Sequence, residues 1–245
     1  MKKHLGNFAV IGDPVEHSLS PKIHNLFAKQ HGNQIEYEKI RVTKGLFVAF
    51  VEDFFSNRGA GLNITLPLKA EAFEIADTLD EDSKSCQTVN TLKPVNGKLS
   101  GFNTDGVGFL TDLEAWHGIA VKDKRILLLG SGGAAKGIVR PLLSREPKTL
   151  VIANRTHASA RALADQLNSE NFIGLEGLGL DDTQLTKKRF DIIINATSAG
   201  HKNSEMPIDG ALLEDAVCYD LSYGPAAAFS RWAELRGAKK SIDGL

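Results

Sequence analysis

Seven polar residues in the first half of the chain have side chains that could bind a hydroxylated carboxylic acid and move a proton. Each follows or closely flanks a short apolar run that we predict to be a strand. They are Ser18, Ser20, Asn63, Thr65, Lys69, Asn90 and Asp105. Because the carboxyl ends of the strands form the ligand crevice in an open α/β sheet, we expect these side chains to converge there. Hydroxyls and amides suit a ligand with several hydroxyls and a carboxylate, while a lysine and an aspartate could transfer a proton.

Each of these residues also has an ordinary structural interpretation. Ser20 and Asp105 could cap the starts of helices, and Lys69 could be a solvated charge on another helix. Asn63 and Thr65 could shape a turn. For any one residue taken singly we favour the structural interpretation, so the functional prediction depends on the whole set.

A glycine-rich turn in the second half predicts a dinucleotide site. The apolar run Arg125–Leu129 leads into Gly130-Ser-Gly-Gly-Ala-Ala135, and a predicted helix from Lys136 to Ser144 and a strand from Thr149 to Ala153 follow. Glycine lets the backbone turn sharply and approach a pyrophosphate, and a helix N-terminus offers N–H groups and partial positive charge to the anion. The context of strand, turn, helix and strand favours this function over an incidental tight turn.

The residues at the end of that second strand favour NADP over NAD. An NAD enzyme usually places Asp or Glu there, about 20 residues beyond the glycines, to hold the ribose 2′-hydroxyl. This chain has Asn154, Arg155 and Thr156 instead. Arginine offers a planar cation to a 2′-phosphate, and the two neighbours add neutral donors. The alternative is that Arg155 is only a solvated charge after a strand.

The order of predicted elements indicates an α/β protein with two domains. Strand-like runs alternate with helical-period segments, which favours largely parallel sheets, and Asn96-Gly97 between two short runs predicts a hairpin. We expect an N-terminal, open and mostly parallel sheet that binds substrate over residues 1–104, with residues 238–245 returning to it. Residues 105–237 should form a Rossmann-type dinucleotide-binding domain, with a connecting helix from about Thr104 to Trp116.

The bulk properties exclude several classes of function. A net charge of -1 and a pI of about 6.7 give no chain-wide basic field for nucleic acid or acidic membranes. No run approaches the roughly 20 apolar residues of a membrane span, and the N-terminus has no secretory apolar core, so we expect a cytoplasmic protein. Cys86 and Cys218 form no metal or disulfide pattern and are expected to be buried reduced thiols.

Eight motifs in order along the chain closely resemble the shikimate dehydrogenase family. The first four are Ile11-Gly-Asp-Pro-Val-Glu-His-Ser-Leu-Ser-Pro21, Gly61-Leu-Asn-Ile-Thr-Leu-Pro-Leu-Lys69, Thr88-Val-Asn-Thr91 and Gly101-Phe-Asn-Thr-Asp-Gly106. The others are Gly130-Ser-Gly-Gly-Ala-Ala135, Asn154-Arg-Thr156, Asn195-Ala-Thr-Ser198 and Tyr219-Asp-Leu-Ser-Tyr223. The resemblance covers nearly the whole chain, and the ordered set is far more specific than any single motif.

The resemblance implies an enzyme that reversibly reduces the ring ketone of 3-dehydroshikimate to shikimate with NADPH, on the route to aromatic amino acids. It implies Lys69 and Asp105 as the catalytic pair. The implied substrate ligands are Ser18 and Ser20 for the carboxylate, Asn63, Thr65, Asn90 and Asp105 for the hydroxyl side, and Tyr223 as a further contact. The implied cofactor ligands are Gly130, Ser131, Gly132, Gly133, Ala134, Asn154, Arg155, Thr156, Thr197, Leu221 and Gly244. We expect a monomer or homodimer with no metal and no nucleic-acid or membrane partner.

The sequence departs from the family pattern at three places. Asp13 stands where the family often has Asn, which should alter only a turn. Ser159 stands where NADP-using members commonly carry a second basic residue, and the nearest arginine is Arg161. The family also continues beyond Leu245 through a methionine-containing stretch and a helix with a substrate-contacting glutamine, so we expect the sequence given to be truncated.

Two other functions stay open on the sequence. The first is a paralogue that acts on quinate or another cyclitol acid, possibly with NAD, because one or two pocket residues can change which hydroxyl is recognised. The second is a non-catalytic, NADP-responsive binding module that has kept the fold.

Overall fold

The computed structural model describes residues 3–168, 174–197, 206 and 208–244. The chain divides into two compact units, Met1–Thr104 and Asp105–Leu245, and each contains a six-stranded sheet. The predicted α/β fold class is confirmed. Among the described residues, no helix is long and apolar enough to cross a membrane.

The first unit is built on a mixed sheet in the order β2-β1-β3-β5-β6-β4. Its elements are β1 (Lys3–Gly12), α1 (Ser20–Gln30), β2 (Asn33–Arg41), α2 (Phe47–Ser56), β3 (Gly59–Ile64), α3 (Lys69–Ile75), β4 (Thr78–Leu79), α4 (Glu81–Cys86), β5 (Thr91–Val95) and β6 (Lys98–Phe102). The β1 strand pairs in parallel with both β2 and β3, and β4 pairs in parallel with β6. The β5 strand is antiparallel to both β3 and β6. The parallel strands β1 and β3 therefore end at the same edge, where the loops before α1 and α3 begin.

The hairpin between β5 and β6 forms where the Asn-Gly pair predicts it. Asn96 has φ of 52° and Gly97 has φ of 75°, so both central residues occupy the left-handed region, and Val95 pairs with Lys98. This geometry matches the twist of the flanking strands, which is why Asn and Gly are preferred in two-residue turns.

Apolar faces of the helices and the sheet pack together in the first unit. Ile11 and Leu62 from neighbouring strands bury against Phe47 and Val51, which lie one turn apart on α2. Burial of such side chains contributes roughly 1.5–3 kcal/mol each relative to leaving them in water. This core holds the strand ends in place.

The second unit is a fully parallel sheet in the order β12-β11-β10-β7-β8-β9. Its elements are α5 (Asp105–Leu110), β7 (Arg125–Leu129), α6 (Gly133–Leu143), β8 (Thr149–Asn154), α7 (His157–Asn168), β9 (Leu175–Gly179), β10 (Ile192–Asn195), β11 (Val217–Asp220), α8 (Ala228–Leu235) and β12 (Lys240–Asp243). Alternate residues of β7 pack into two separate apolar clusters, so both faces of the sheet are buried. The strand order reverses between β7 and β10, which is the point where such sheets bind dinucleotides.

The C-terminal segment belongs to the second unit, so the prediction that residues 238–245 return to the first is wrong. The β12 strand pairs in parallel with β11, with Cys218 opposite Ser241 and Tyr219 opposite Ile242. Ile242 is only 6% exposed and packs into the apolar cluster of the second unit. The short segment thereby satisfies the hydrogen bonds of the β11 edge and buries an apolar side chain.

The predicted helix over 104–116 is two segments. The α-helix α5 ends at Leu110, and a π-helical segment continues over Thr111–Trp116. A Cβ atom on Gly106 would collide with Cγ of Pro141 and lie 2.8 Å from the carbonyl oxygen of Gly137, so glycine permits close packing of α5 on α6.

Both cysteines are buried, as predicted, and neither forms a disulfide with a described residue. Burial raises the pKa of Cys218 to about 12, because the interior disfavours the thiolate. That thiol is therefore protonated at neutral pH and unreactive.

Candidate active site

Ser18 and Ser20 lie together at the start of α1. The Ser18 hydroxyl donates to Oγ of Ser20 at 3.1 Å, and the Ser20 backbone N–H donates to Oγ of Ser18 at 3.2 Å. Leu19 occupies the N-cap position and Ser20 is the first helical residue, so the alternative of Ser20 as the N-cap is wrong. The two hydroxyls are thus adjacent at the loop that follows β1.

Asn63, near the end of β3, is held in one orientation by its neighbours. The Tyr37 hydroxyl on β2 donates to Oδ1 of Asn63 at 2.5 Å. The Asn63 amide nitrogen then donates to Oγ1 of Thr91 at 3.1 Å and faces the Asn90 carbonyl at 3.5 Å. Because Oδ1 accepts and Nδ2 donates, the network assigns the two ends of the amide.

Asn90 continues the network toward the end of the first unit. Its amide nitrogen donates to Oγ1 of Thr104 at 3.0 Å, and its Oδ1 accepts from the Thr104 backbone N–H at 3.2 Å and from the Thr91 hydroxyl at 2.9 Å. Tyr37, Asn63, Thr91, Asn90 and Thr104 therefore form one chain of hydrogen bonds. This chain crosses from β2 through β3 and β5 to the residue before Asp105.

Tyr37 and His24 pack beside the candidate site, and sequence reasoning did not single them out. Tyr37 is 8% exposed, and its ring stacks on His24 with centroids 4.6 Å apart. Burial raises the pKa of Tyr37, although a hydrogen bond with Ser20 opposes the rise. Burial also lowers the pKa of His24, so this ring is neutral at pH 7. Tyr37 is the one buried residue of β2, and only the structure shows that burial.

Thr65 and Lys69 lie in the segment that joins β3 to α3. The Thr65 N–H donates to the Ile11 carbonyl at 2.9 Å, and the Thr65 methyl fills the space that a Cβ atom on Gly12 would need. Lys69 is the first residue of α3 and is partly buried, and its carbonyl accepts from the Val89 N–H at 2.9 Å. The backbone of this segment is therefore hydrogen-bonded both to β1 and to the residues before β5.

Asp105 is the first residue of α5, in the second unit.

The glycine turn after β7 fits a pyrophosphate. Gly130 has φ of 106°, and a Cβ atom there would lie 3.0 Å from Cγ2 of Thr197 and 3.1 Å from the Ala196 carbonyl oxygen. Gly132 is the N-cap of α6, and a Cβ atom there would meet no atom of the described residues within 4 Å. Backbone N–H groups of the first turn of this 11-residue helix, including those of Gly133 and Ala134, have no partner within the helix and are available to an anion. Ser131 lies within the turn.

The end of β8 presents exposed donors and a cation. Asn154 donates from its amide to the Thr156 carbonyl at 3.2 Å, and Arg155 and Thr156 are exposed just before α7 begins. Ser159 is exposed in the first turn of that helix. Arg161 lies 3.8 Å from Asp165 in an exposed ion pair.

Thr197, Leu221 and Gly244 are brought together at the carboxyl ends of β10, β11 and β12. Oδ1 of Asn195 accepts from the backbone N–H and hydroxyl of Thr197 at 3.1 and 2.6 Å, and the Leu221 N–H donates to the Asn195 carbonyl at 3.0 Å. The Gly244 N–H donates to the Ser222 carbonyl at 3.0 Å, and a Cβ atom on Gly244 would lie 2.8 Å from the Leu221 carbonyl oxygen. Glycine at 244 therefore permits this close approach.

Tyr223 precedes a short 3-10 helix, Gly224–Ala226, in the second unit. Its backbone is extended, and the next N–H, that of Gly224, donates to Oδ2 of Asp243 at 3.0 Å.

Two residues named in the sequence analysis, Ser198 and Leu245, lie outside the described residues.

Known protein families match both halves of this chain. A family model of the shikimate dehydrogenase substrate binding domain matches residues 10–92, and a model of shikimate / quinate 5-dehydrogenase matches residues 114–206. The protein named Shikimate dehydrogenase (NADP(+)) from Methylobacillus flagellatus is 42% identical over 98% of this chain and 88% of its own length. The chain belongs to the shikimate dehydrogenase family.

The similarity to solved structures covers both units of the chain. An Ael1 enzyme from Pseudomonas putida has a TM-score of 0.86 and 38% identity, covering 98% of this chain and 87% of that chain. Shikimate 5-dehydrogenase from Thermus thermophilus, solved in complex with NADP(H) and shikimate, has a TM-score of 0.82 and 32% identity. That match covers 96% of this chain and 85% of the other. The predicted resemblance is confirmed.

Proposed function

We propose that this chain is an NADP-dependent shikimate dehydrogenase that reversibly reduces 3-dehydroshikimate to shikimate, a step toward aromatic amino acids. The observation that carries the proposal is the 42% identity, over 98% of this chain, to a protein named for that activity. The polar network of the first sheet and the glycine turn of the second supply chemistry that suits the two ligands.

The first unit would bind the polar substituents of the substrate. We assign the adjacent hydroxyls of Ser18 and Ser20 to its carboxylate, because two donors about 3 Å apart can reach the two oxygens of one carboxylate. Asn63, Thr65 and Asn90 would contact its hydroxyls, with Tyr223 as a further contact. The hydrogen bonds from Tyr37 to Asn63 and from Asn90 to Thr104 orient these amides in advance, which lowers the entropy cost of binding.

Lys69 and Asp105 would carry the proton chemistry. Bound NADPH supplies a hydride to the ring carbonyl. The oxygen that gains negative charge then needs a donor, and we assign this role to the Lys69 ammonium. We assign Asp105 as the second residue of this proton transfer.

The second unit would hold the cofactor along its strand ends. We assign the pyrophosphate to the turn of Gly130 to Ala134 and the N-terminus of α6. Arg155, with Asn154 and Thr156, would bind the 2′-phosphate by charge-assisted hydrogen bonds. Thr197, Leu221 and Gly244 would contact the other half of the dinucleotide, because the strand order reverses between β7 and β10.

We also propose that the enzyme works in the cytoplasm, as a monomer or homodimer. Its two cysteines are buried, and neither forms a disulfide with a described residue, which suits a reducing compartment. Light scattering of the purified protein measures the oligomeric state.

A matrix of substrates and cofactors tests the proposed function. We expect kcat/KM to be highest for shikimate with NADP, compared with quinate or with NAD. Higher kcat/KM with quinate would instead assign the chain to the second candidate activity, which the family description of residues 114–206 also covers. Binding of NADP without turnover of either acid would favour the non-catalytic module.

A further inference from the structure

Asp220, the last residue of β11, is a buried carboxylate surrounded by hydrogen-bond donors. It is 0% exposed. Its Oδ1 accepts from the Asn195 amide and from the Ser222 backbone N–H, both at 3.1 Å. Its Oδ2 accepts from the backbone N–H groups of Phe229 at 3.0 Å and Ser230 at 3.3 Å, in the first turn of α8. One side chain thus ties together three segments of the second unit.

Such a carboxylate is costly to bury. Burial raises the pKa of Asp220, while the surrounding hydrogen bonds oppose the rise. Within the described part of the chain, no cationic side chain contributes to that balance, so neutral donors alone compensate the charge. The hydrogen bonds to a buried carboxylate do little more than offset the cost of removing its charge from water, so Asp220 adds little net stability. Its value to the fold must then lie in where it holds the segments that donate to it.

The two segments bonded to Oδ1 lead to the residues assigned to one half of the cofactor. Asn195 uses its amide nitrogen on Asp220 and its Oδ1 on both the backbone and hydroxyl of Thr197. Ser222 directly follows Leu221, and its carbonyl accepts from the Gly244 N–H. A displacement of Asp220 would therefore move the ends of β10, β11 and β12 relative to one another.

These strand ends lie on the opposite side of the glycine turn from the Arg155 segment. The sheet order is β12-β11-β10-β7-β8-β9, and the turn that suits the pyrophosphate follows β7. Arg155 follows β8, on one side of β7, and the adenosine half is assigned there. The ends of β10, β11 and β12, on the other side of β7, would then hold the nicotinamide half.

We propose that Asp220 is the positioning residue for the nicotinamide half of the cofactor site. Its four hydrogen bonds set the relative positions of Thr197, Leu221 and Gly244, and thereby the position of the hydride donor. The adenosine half would be held near Arg155 and the glycine turn and would not depend on Asp220. This inference rests on the proposed NADP-dependent activity.

The test compares the whole cofactor with its adenosine half. Asp220→Asn places an NH₂ group against two N–H donors and breaks the arrangement with little change in volume. We expect a 10-fold to roughly 100-fold lower kcat, because small misplacements of reacting groups have effects of that size. The Kd of NADP⁺, measured by calorimetry, should rise, while the Kd of adenosine 2′,5′-bisphosphate stays at the wild-type value.

Two further variants separate positioning from a merely structural role. Asn195→Ala removes the link from Asp220 to Thr197 but keeps both hydrogen bonds from α8. It should therefore lower kcat and weaken NADP⁺ binding without changing the Kd of the bisphosphate. This variant replaces Asp220→Asn in the test if Asp220→Asn does not fold. Leu213→Ala removes a fully buried side chain from an apolar cluster of the same unit. It should lower the melting temperature and leave kcat and both Kd values unchanged.

Two results would overturn the inference. One is wild-type kcat and NADP⁺ affinity in a folded Asp220→Asn or Asn195→Ala variant. The other is an equal loss of affinity for NADP⁺ and for the bisphosphate. If the wild-type protein turns over neither shikimate nor quinate, the proposed function fails, yet the comparison of the two Kd values still tests Asp220 separately.

Discussion

At the scale of single residues, Lys69 is the proposed proton donor of the reaction. Lys69→Ala should lower kcat by about 10²–10⁴-fold, the usual contribution of a general acid, while shikimate still binds. Steady-state kinetics together with calorimetric titration of shikimate measure both effects. Lys84→Ala is the matched control, because Lys84 lies in an exposed pair with Glu81 at 2.7 Å. Near-normal turnover by a folded Lys69→Ala protein would remove Lys69 from the mechanism.

Arg155 should determine the choice between NADP and NAD. Loss of a charge-assisted hydrogen bond costs roughly 1.5–3 kcal/mol, so Arg155→Ala should raise the KM for NADP by about 10-fold or more and leave the KM for NAD little changed. Arg161→Ala is the control, because Arg161 already faces Asp165. An unchanged ratio of kcat/KM between the two cofactors would show that Arg155 is only a solvated charge.

Some of these residues could be predicted from the sequence and others could not. The glycine turn was predictable because it stands between an apolar strand and a helix, and the φ of 106° at Gly130 shows why glycine is needed at that position. Tyr37 was not, because its bond to Asn63 depends on β2 and β3 both pairing with β1. Asp220 was missed for a similar reason, since its partners come from three segments whose proximity follows from the strand order.

At the scale of elements, the contact between α5 and α6 depends on Gly106. Gly106→Ala would place Cβ within 2.8 Å of a backbone oxygen of α6, and overpacking of this kind costs about 1–3 kcal/mol. Because Asp105 is the neighbouring residue, we expect kcat to fall as well as the melting temperature. Gly108→Ala lies in the same helix, and its added Cβ meets no described atom within 4 Å. This control should stabilise the protein by up to about 1 kcal/mol, because alanine favours helix. Equal effects of the two substitutions would contradict the packing argument.

We expect burial of His24 against Tyr37 to make the stability of the protein depend on pH. Burial lowers the pKa of His24 below the ordinary value of 6.5, so between that value and the lowered one the unfolded chain binds more protons than the folded chain. The contribution is complete above pH 6.5 and is lost as the pH falls through this window. Chemical denaturation from about pH 7.5 to about pH 5 should show a loss of stability that is smaller in His24→Gln. The same pH slope in both proteins would refute this assignment.

Element types were easier to predict than element boundaries. The Asn96-Gly97 hairpin and the strand before the glycine turn have strong local signals, and both are present. The helix predicted over 104–116 changes from α to π after Leu110, which no local pattern indicated. Placement of residues 238–245 was wrong because Lys240–Asp243 forms an edge strand on β11 with Ile242 as its one buried residue, and that pairing is not visible in so short a segment.

At the scale of the whole molecule, the two sheets divide the work of the proposed enzyme. The mixed sheet of the first unit carries a continuous hydrogen-bonded network from Tyr37 to Thr104. The parallel sheet of the second carries the glycine turn, Arg155 and the strand ends tied by Asp220. Two domains and the fold class could be predicted because the repeating order of strands and helices persists along the chain. The networks that orient the side chains required the structure.

The most direct test of the proposed function follows both reactants in one vessel. Purified protein is mixed with NADPH and limiting 3-dehydroshikimate, the absorbance of the reduced nicotinamide is recorded, and the product acid is measured by chromatography. The function predicts one NADPH oxidised for each shikimate formed, and the reverse reaction when shikimate and NADP⁺ are supplied. Tight binding of NADPH with no change in absorbance and no shikimate formed would contradict it.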